Sequence, residues 1–483
     1  MTNRTPLKRS LRTVCVWSAL IPAGCTVGPN YHPPQVAMPP DWVSPTAAAP
    51  AAATQPSVAV VQPSGDIARW WSNFDDPVLQ SLVNRALGSN LDLRVAALRL
   101  RQAREARRLT ASGLYPRIDT SASYRHSGTD IGHPGPDRDS YNAGLDASWE
   151  VDVFGGVRRG VEASEADIRV AEEDRRDVQV LIASEVALNY LDVRSLQRQL
   201  EISRENLSSQ QRSLQLTRQR FQAGFETGLD TANAESLVAG TRSQIPLQEA
   251  DLRQALYALG VLLGGEPGAL LDELSQAAPI PRTPPQVPVG LPSDLLRRRP
   301  DIRRAEAQVH AATARIGVAV ADLYPRFLLN GSVGVSGADV SALSNRHNSV
   351  WSIGPSVSWP LFDAGRIRAN IAIQTLAQEQ TVLSYRATIL NALQEVENAL
   401  TAYVAEQQHR KALIEAVTAE RRAVDLSTQL YKQGETDFLN VLVAQRALYG
   451  SEDSLVQSDR RVAQNLVQLY RALGGGWEEG AGE

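Results

Sequence analysis

The sequence predicts an α+β membrane protein built from two tandem structural repeats, each with a membrane-length β-hairpin and a very long helix. Three observations carry this prediction. Residues 141–153 alternate between apolar and polar side chains, as a strand with two different faces requires. The runs 161–223 and 366–433 contain neither glycine nor proline. The whole pattern recurs about 210 residues further along the chain.

The composition limits the class of protein. Of the 483 residues, 21% are charged and 43% are hydrophobic. The mean hydropathy is −0.24, and no run of about 18 apolar residues exists, so the chain is not a helical membrane protein. The formal net charge of −4 becomes more negative when residues 1–24, which are basic, are removed. An acidic chain without a basic cluster argues against nucleic acid as the partner.

The N-terminus predicts a processed and lipidated protein. Residues 1–24 have a basic start and a short apolar run, which is typical of a signal peptide. The segment ending at Cys25, LIPAGC, resembles a bacterial lipobox, which implies that Cys25 becomes the first residue and carries a covalent lipid such as palmitate. An ordinary signal peptide with an incidental cysteine is the alternative. Residues 25–65 are rich in proline and alanine and predict a lipid-anchored, extended tether.

The first repeat, 66–264, begins with two helices. Asp76 precedes Pro77, and an aspartate cap with proline in the first turn is a strong helix start. A second helix begins at Leu91, and the sequence LYPR at 114–117 ends it. A period of two then predicts a β-hairpin at about 117–153. The long helix follows at about 157–223, and a further helix at about 229–263.

The second strand of this hairpin, 141–153, is the clearest strand of the chain. It is longer than the 9–11 residues or so that a transmembrane strand needs. Asp146, Glu150 and Asp152 share its polar face. We therefore expect these three carboxylates to face a water-filled lumen, and the apolar face to meet lipid.

A second copy of the unit follows the segment 265–300, which is rich in proline and glycine. This second repeat, 301–474, contains a helix, a hairpin at about 326–361, a long helix at about 366–433 and a helix at about 438–473. Residues 475–483 form a C-terminal tail. The LYPR sequence recurs at 323–326, and Ser358-Trp359 repeats Ser148-Trp149. Because these matches share nearly one offset, they predict an internal duplication.

Four membrane-length strands cannot close a barrel alone. Open sheet edges do not occur in lipid, and the smallest barrels have about eight strands, so at least two chains must contribute hairpins. Tyr141, Trp149, Trp351 and Trp359 lie near the strand ends, where an aromatic girdle would lie. A soluble sandwich with polar outer faces is the alternative, but the strands are too few and too long for it.

Several short motifs occur along the chain, namely CTVGPNY at 25–31, WW at 70–71 with FDDP at 74–77, NLDL at 90–93, RPDI at 299–302 with AE at 305–306, ARIG at 314–317 and WPLFDAG at 359–365. Together these motifs resemble the outer-membrane factors of tripartite efflux systems, which are TolC-like, and specifically their NodT-like lipoprotein branch. They cover nearly the whole processed chain in the order that the family shows.

The resemblance implies a homotrimer in the bacterial outer membrane. Each chain would give four strands to a 12-stranded β-barrel, which a long periplasmic helical barrel continues. The expected function is a passive exit duct that conducts small molecules from the periplasm to the exterior, and antibiotic resistance is one expected outcome. The implied partners are a periplasmic adaptor protein, an inner-membrane RND-type pump and outer-membrane lipid. Apart from the lipid on Cys25, no cofactor is implied.

The resemblance also implies an iris-like gate at the periplasmic helix tips. Asp230 matches a gate position of the family, and Asp437 supplies further negative charge. Where some relatives have two aspartates in the second repeat, this sequence has Asn440 and Val443. A strong acidic ring is therefore not expected. Plain helix capping is the alternative role for Asp230 and Asp437.

No arrangement of residues predicts catalysis. The six histidines are dispersed without metal-ligand spacing, so neither an enzyme nor a metal site is expected. Two alternatives to the efflux duct remain open. One is an outer-membrane duct for protein or oligosaccharide secretion, and the other is a structural coiled-coil lipoprotein without a pore.

Overall fold

A computed structural model describes residues 26–44, 57–59, 67–128, 137–284 and 286–478. These residues form two compact units. The sheet unit contains the described residues up to Gln35, together with Leu100–Ala171 and Ala305–Tyr385. The helical unit contains Val36–Arg99, Glu172–Arg304 and the chain from Arg386 onward. Each unit takes segments from both repeats.

Eight α-helices lie within the described residues. They are α1 Pro77–Ser89, α2 Leu91–Ser112, α3 Gly156–Gln222, α4 Gly228–Leu262, α5 Leu295–Arg298, α6 Pro300–Ala321, α7 Arg366–Gln433 and α8 Phe438–Ala472. The helices α3 and α7 contain 67 and 68 residues, so each is about 100 Å long at 1.5 Å per residue. In the described part of the chain, no helix has both the length and the apolar composition that crossing a membrane would take.

Six strands form two sheets in the described residues. They are β1 Ser57–Ala59, β2 Arg117–Ser127, β3 Arg138–Val151, β4 Gln286–Pro288, β5 Arg326–Gly337 and β6 Ser349–Ser358. The short strands β1 and β4 pair in parallel in the helical unit. The other four form an antiparallel sheet in the order β2-β3-β5-β6, so each hairpin pairs internally and β3 joins β5. These four strands contain 11, 14, 12 and 10 residues, the length of transmembrane strands.

The four-stranded sheet has one apolar face and one polar face, as the alternation predicts. Leu145 opposes Val333, which opposes Trp351, and all three side chains are at least half exposed. On the other face the Ser121 hydroxyl donates to the Asp146 carboxylate at 2.7 Å, and the Ser332 and Ser352 hydroxyls lie 2.8 Å apart. The exposed apolar face therefore suits lipid, and the hydroxyl-rich face suits water.

The prediction that Asp152 lies on the polar face of the strand is wrong. β3 ends at Val151, which pairs with Phe327, and the chain then leaves the ladder, so that Asp152 does not pair with Arg326, the next residue of β5. The Asp152 carboxylate instead accepts hydrogen bonds from the Val157 and Arg158 amides, at 3.1 and 2.9 Å, at the start of α3. A negative charge there is stabilised by the exposed amides of the helix N-terminus.

The beginning of the predicted tether is packed against the sheet unit. Arg159, whose side chain is 4% exposed, donates to the Val27 carbonyl at 3.1 Å and to Asn30 Oδ1 at 2.7 Å. The Tyr31 ring stacks on His310 with centroids 4.2 Å apart. The composition did not predict this packing, because each anchoring side chain lies more than a hundred residues away in the sequence.

The next part of this segment packs against the helical unit. The Trp42 indole donates to the Gly290 carbonyl at 3.0 Å. The amides of Val43 and Ser44 donate to the two carboxylate oxygens of Glu397, at 2.6 and 2.9 Å. Residues 26–44 are therefore bound along the fold, whereas Cys25 and residues 45–56 lie outside the described residues.

The core of the helical unit contains large aromatic side chains. Trp70 is fully buried and stacks on Tyr470 with centroids 5.6 Å apart. The Tyr190 hydroxyl donates to the Asp76 carboxylate at 2.7 Å, and Asp76 also caps α1 through the amides of Val78 and Leu79. Burial raises the pKa of Tyr190, so this phenol stays protonated and keeps donating.

We expect Gly334→Ala to destabilise the junction between the two hairpins. Gly334 opposes Gly144 directly, and a Cβ at Gly334 would lie 2.5 Å from the Ala143 carbonyl oxygen and 2.9 Å from the Gly144 Cα. Both contacts are with backbone, so β3 and β5 must separate at a cost of about 1–3 kcal/mol. Denaturant unfolding followed by tryptophan fluorescence measures the loss.

Gly354→Ala is the matched control, because a Cβ at Gly354 in β6 of the same sheet meets no atom within 4 Å. Its free energy of unfolding should stay close to that of the wild type. Equal stability of the two variants would contradict the close approach of β3 and β5.

Candidate functional site

The two helix-turn-helix tips, α3–α4 and α7–α8, have the same local geometry. Gly224 and Gly434 follow the long helices with φ of 81° and 79°. The Phe225 amide donates to the Arg220 carbonyl, and the Glu435 amide to the Leu430 carbonyl, at 2.9 and 3.0 Å. This is the Schellman arrangement, in which a left-handed residue lets the chain satisfy the last carbonyls of a helix. Glycine adopts that conformation at little cost.

The first turn leads into α4 through a capping box. Thr227 is the N-cap, its hydroxyl accepts from the Asp230 amide, and Asp230 Oδ2 accepts from the Thr227 amide at 3.2 Å. Two of the free amides at the helix start are satisfied in this way. Asp230, predicted at the gate, therefore has a capping role in this chain.

The second turn is built differently, although its residues align with the first. Asp437 is the N-cap of α8, but its side chain makes no capping hydrogen bond. The Asn440 amide group donates to the Thr436 hydroxyl at 2.7 Å. Asp437, Asn440 and Val443 are all exposed and lie three residues apart, so they share one side of the helix start. Of these three side chains, only Asp437 is acidic.

A small apolar core joins the two tips within the helical unit. Its buried members come from α4, α7 and α8, namely Ala234, Tyr431, Phe438, Val441 and Leu442. The Tyr431 hydroxyl also donates to Thr217 in α3 at 3.2 Å. Burial raises the pKa of the Tyr431 phenol. The two hairpin tips are therefore packed together and do not end as separate loops.

Arg220, which the sequence did not point to, links both tips. Its guanidinium donates to Glu226 at 3.0 Å in the first turn and to the Tyr431 carbonyl at 3.1 Å at the end of α7. It also lies 4.9 Å from the centroid of the Tyr431 ring, within cation-π range. A basic residue in the last helical turn was visible in the sequence, but its partner on α7 was not.

Three of the four predicted aromatic residues lie at two levels of the sheet. The Trp149 indole donates to the Leu114 carbonyl at 3.1 Å, and the Trp359 indole donates to the Leu323 carbonyl at 3.0 Å, so both copies of the repeat make the same bond. Tyr141 lies near the opposite end of β3, where its ring packs 4.8 Å from that of Tyr124.

The distance between the Tyr141 and Trp149 levels is comparable to the apolar thickness of a membrane. The two residues are eight apart in one strand, about 26 Å along it, which is about 20 Å of height at the tilt of barrel strands, and the apolar band of outer-membrane barrels is about 25 Å tall. Trp351 is 76% exposed and aligns through Val333 with Leu145, midway between these two levels. Within the described residues, no three His, Cys, Asp or Glu side chains are grouped to hold a metal ion.

Comparisons with known proteins agree with this geometry. The profile of the outer membrane efflux protein family matches residues 82–265 and 291–475. Nodulation protein T of Rhizobium leguminosarum bv. trifolii is 31% identical over 473 residues, 97% of this chain and 98% of that protein. The pyoverdine export outer membrane protein OpmQ of Pseudomonas aeruginosa is 37% identical over 424 residues, 86% of this chain and 89% of that protein. The solved outer-membrane channel OprN has a TM-score of 0.86 at 36% identity, covering 94% of this chain and 100% of that chain.

We expect Arg220→Ala to loosen the tip of α7–α8. The variant loses the bond to the Tyr431 carbonyl and leaves the Glu226 carboxylate, which is 9% exposed, without its ion pair. The bond to the Tyr431 carbonyl is the one that crosses between the tips, and a hydrogen bond from a charged group contributes about 1.5–3 kcal/mol, which corresponds to roughly 10- to 100-fold faster local opening. Hydrogen exchange at the Gly434 and Glu435 amides measures this rate.

Arg218→Ala provides the control on the same helix. Its ion pair with Glu235 is about half exposed on both sides, and such surface pairs contribute about 1 kcal/mol or less. If both variants exchange at the wild-type rate, Arg220 does not hold the tips together.

Proposed function

The chain belongs to the outer membrane efflux protein family and is an outer-membrane efflux channel, and we propose that its helical tips gate a passive exit duct. The α+β fold predicted from the sequence is confirmed: the chain has the fold of trimeric channels in which each protomer gives four strands to a β-barrel with a periplasmic helical extension. It is a transport duct and not an enzyme.

The sheet is the observation that supports a duct most directly. Its exposed apolar face and hydroxyl-rich opposite face suit a wall between lipid and water. Within the sheet, β2 and β6 each have one partner, so both edges must find further strands in the membrane. A ring of three identical sheets satisfies every edge.

Apolar rows on two helices support the homotrimer. Two rows of leucines are between 57% and 66% exposed in the single chain, namely Leu91 and Leu98 of α2, and Leu376, Leu383 and Leu390 of α7. Each row repeats every seven residues, which is the spacing of helix-helix seams. A second copy of the chain is the natural partner for such rows.

The exposed residues of the tips support a gate. Asp437, Asn440 and Val443 would face their symmetry copies where three tips converge, and Asp230 holds the neighbouring turn in place through its capping box. In this proposal Arg220 is the latch that keeps each α7–α8 tip against α3. Opening then requires the loss of one hydrogen bond to the Tyr431 carbonyl and one cation-π contact per chain.

Apolar side chains at the tips support docking of a periplasmic adaptor that connects to an inner-membrane RND-type pump. Phe225 and Leu229 are 75% and 69% exposed in the first tip, and Leu439 is 58% exposed in the second. Large exposed apolar groups on a turn favour a protein partner.

The start of the described chain supports lipidation of Cys25. The Val27 amide donates to the Phe154 carbonyl at 3.1 Å, directly after β3. Gly155 has φ of 78°, and a Cβ there would lie 2.8 Å from the Thr26 side chain, so the chain passes close to this junction. Cys25 precedes Thr26 and would thus carry its lipid at the end of the sheet where Trp149 and Trp359 lie.

The duct is tested by conductance in planar bilayers. Purified trimers should carry current, and Arg220→Ala should raise the open fraction several-fold because the latch is lost, whereas Arg218→Ala should not. Folded trimers of all three proteins that carry no current would favour a structural lipoprotein without a pore.

Lipidation is tested by metabolic labelling with a palmitate analogue. Cys25→Ala should abolish the label, because the thiol is the attachment atom, and Cys15→Ala should keep it, because Cys15 belongs to the removed signal peptide. Label that survives in Cys25→Ala would refute the assignment.

A further inference from the structure

The charged side chains on the polar face of the sheet are separated by sign along the strands. Arg125 of β2 and Arg138 of β3 lie near the loop that joins these strands. Asp146 and Glu150 lie toward the opposite end of β3. On the same face of β5 and β6, positions 328–336 and 350–356 hold only uncharged residues. Arg326, at the helix end of β5, is the charged residue of the second hairpin on this face, and it pairs with Asp322, so the pattern of two signs belongs to the first hairpin.

Side-chain contacts place both arginines on the polar face. The Asn142 amide group donates to the Ser140 hydroxyl at 3.1 Å and to the Ser123 hydroxyl at 3.4 Å, so these three residues share a face. Arg125 opposes Ser140, and Arg138 is two residues before Ser140 in β3. Both arginines are therefore on the side that faces the lumen.

The acidic residues near the loop between β2 and β3 lie on the apolar face of the sheet or at the edge of the loop. Asp139 accepts from the Tyr124 hydroxyl and lies 2.9 Å from His126 Nδ1, on the face of the Tyr124–Tyr141 pair. Asp137 lies 3.7 Å from His126 Nε2. Both carboxylates are thus directed at His126. In the sequence, Asp130 is the other acid of this loop, and it lies outside the described residues.

At the helix end of the hairpin the balance is acidic. Asp119 forms an ion pair with Arg117 at 2.8 Å, and Arg326 pairs with Asp322 at 2.5 Å. Asp146 accepts a hydrogen bond from a neutral serine, which leaves its charge uncompensated. Arg138 and Asp146 are eight residues apart, about 26 Å, whereas charges are screened beyond about 8 Å at physiological ionic strength. The two ends therefore act independently on passing ions.

We propose that Arg125 and Arg138 form a basic ring at the extracellular mouth of the barrel, which concentrates anions and repels cations there. Two arginines per chain give six in the trimer. The loops that join β2 to β3 and β5 to β6 mark the extracellular end, because the other ends of these four strands lead into the periplasmic helices. The ring makes passage charge-selective at the exit and opposite in sign to the acidic inner end. This inference rests on the chain being a channel.

The test compares ion selectivity among charge variants in planar bilayers with a KCl gradient. The double variant Arg125→Gln/Arg138→Gln should lower the chloride-to-potassium permeability ratio on the order of twofold, and Asp146→Asn/Glu150→Gln should raise it. The control Arg125→Lys/Arg138→Lys keeps the charges and should keep the wild-type ratio. Inositol hexakisphosphate added on the extracellular side should block the wild type more strongly than the glutamine double variant.

A glutamine double variant with the wild-type permeability ratio and the wild-type block would overturn the basic ring. A loss of trimer in that variant, checked against the lysine variant, would show that the arginines are structural and would also overturn it. Trimers of the wild type that carry no current would instead refute the duct itself, and the ring with it.

Discussion

Backbone hydrogen bonding in lipid is the constraint on which the rest of the structure depends. A strand of 10–14 residues in the membrane must pair every N–H and C=O, and one chain provides a sheet with two open edges, β2 and β6. Closure therefore needs further copies, and this need accounts for the half-exposed leucine rows that a monomer would have no reason to display. The unpaired strand edges therefore require an oligomer, whether or not the helices also associate.

The internal duplication gives two versions of each local structure, and the two versions differ at the helix tips, where we propose that the gate lies. The indole-to-carbonyl bonds of Trp149 and Trp359 and the turn glycines Gly224 and Gly434 are the same in both repeats. The helix starts behind those glycines differ, since one has a complete capping box and the other an N-cap aspartate without one. Arg220 and the apolar core around Tyr431 connect the two versions. The symmetric parts build the scaffold, and the asymmetric parts are suited to a gate.

The charged residues of the four-stranded sheet are also distributed differently on its apolar face and its polar face. The sheet keeps ionic groups off its apolar face except at the loop end, where His126 and Asp139 pair with each other. On the polar face, the charges other than Arg326 lie on the first hairpin, and hydroxyls and glycines cover most of the second. A wall of this kind lets neutral solutes pass with little interaction, while ions meet one sign at each end.

Periodicity, caps and turn glycines act over a few residues, so the strands, their faces, the limits of the long helices and the duplication could be predicted from the sequence. The predicted end of β3 at residue 153 is wrong, because the alternation continues past the point where Asp152 leaves the ladder to accept from the Val157 and Arg158 amides. The partners of Arg220, Arg159 and Glu397 are visible only in the folded chain, because those contacts join residues that are more than a hundred positions apart. Such pairs leave no periodic trace in the sequence, so packing alone reveals that residues 26–44 are bound to the fold and that the two tips are joined.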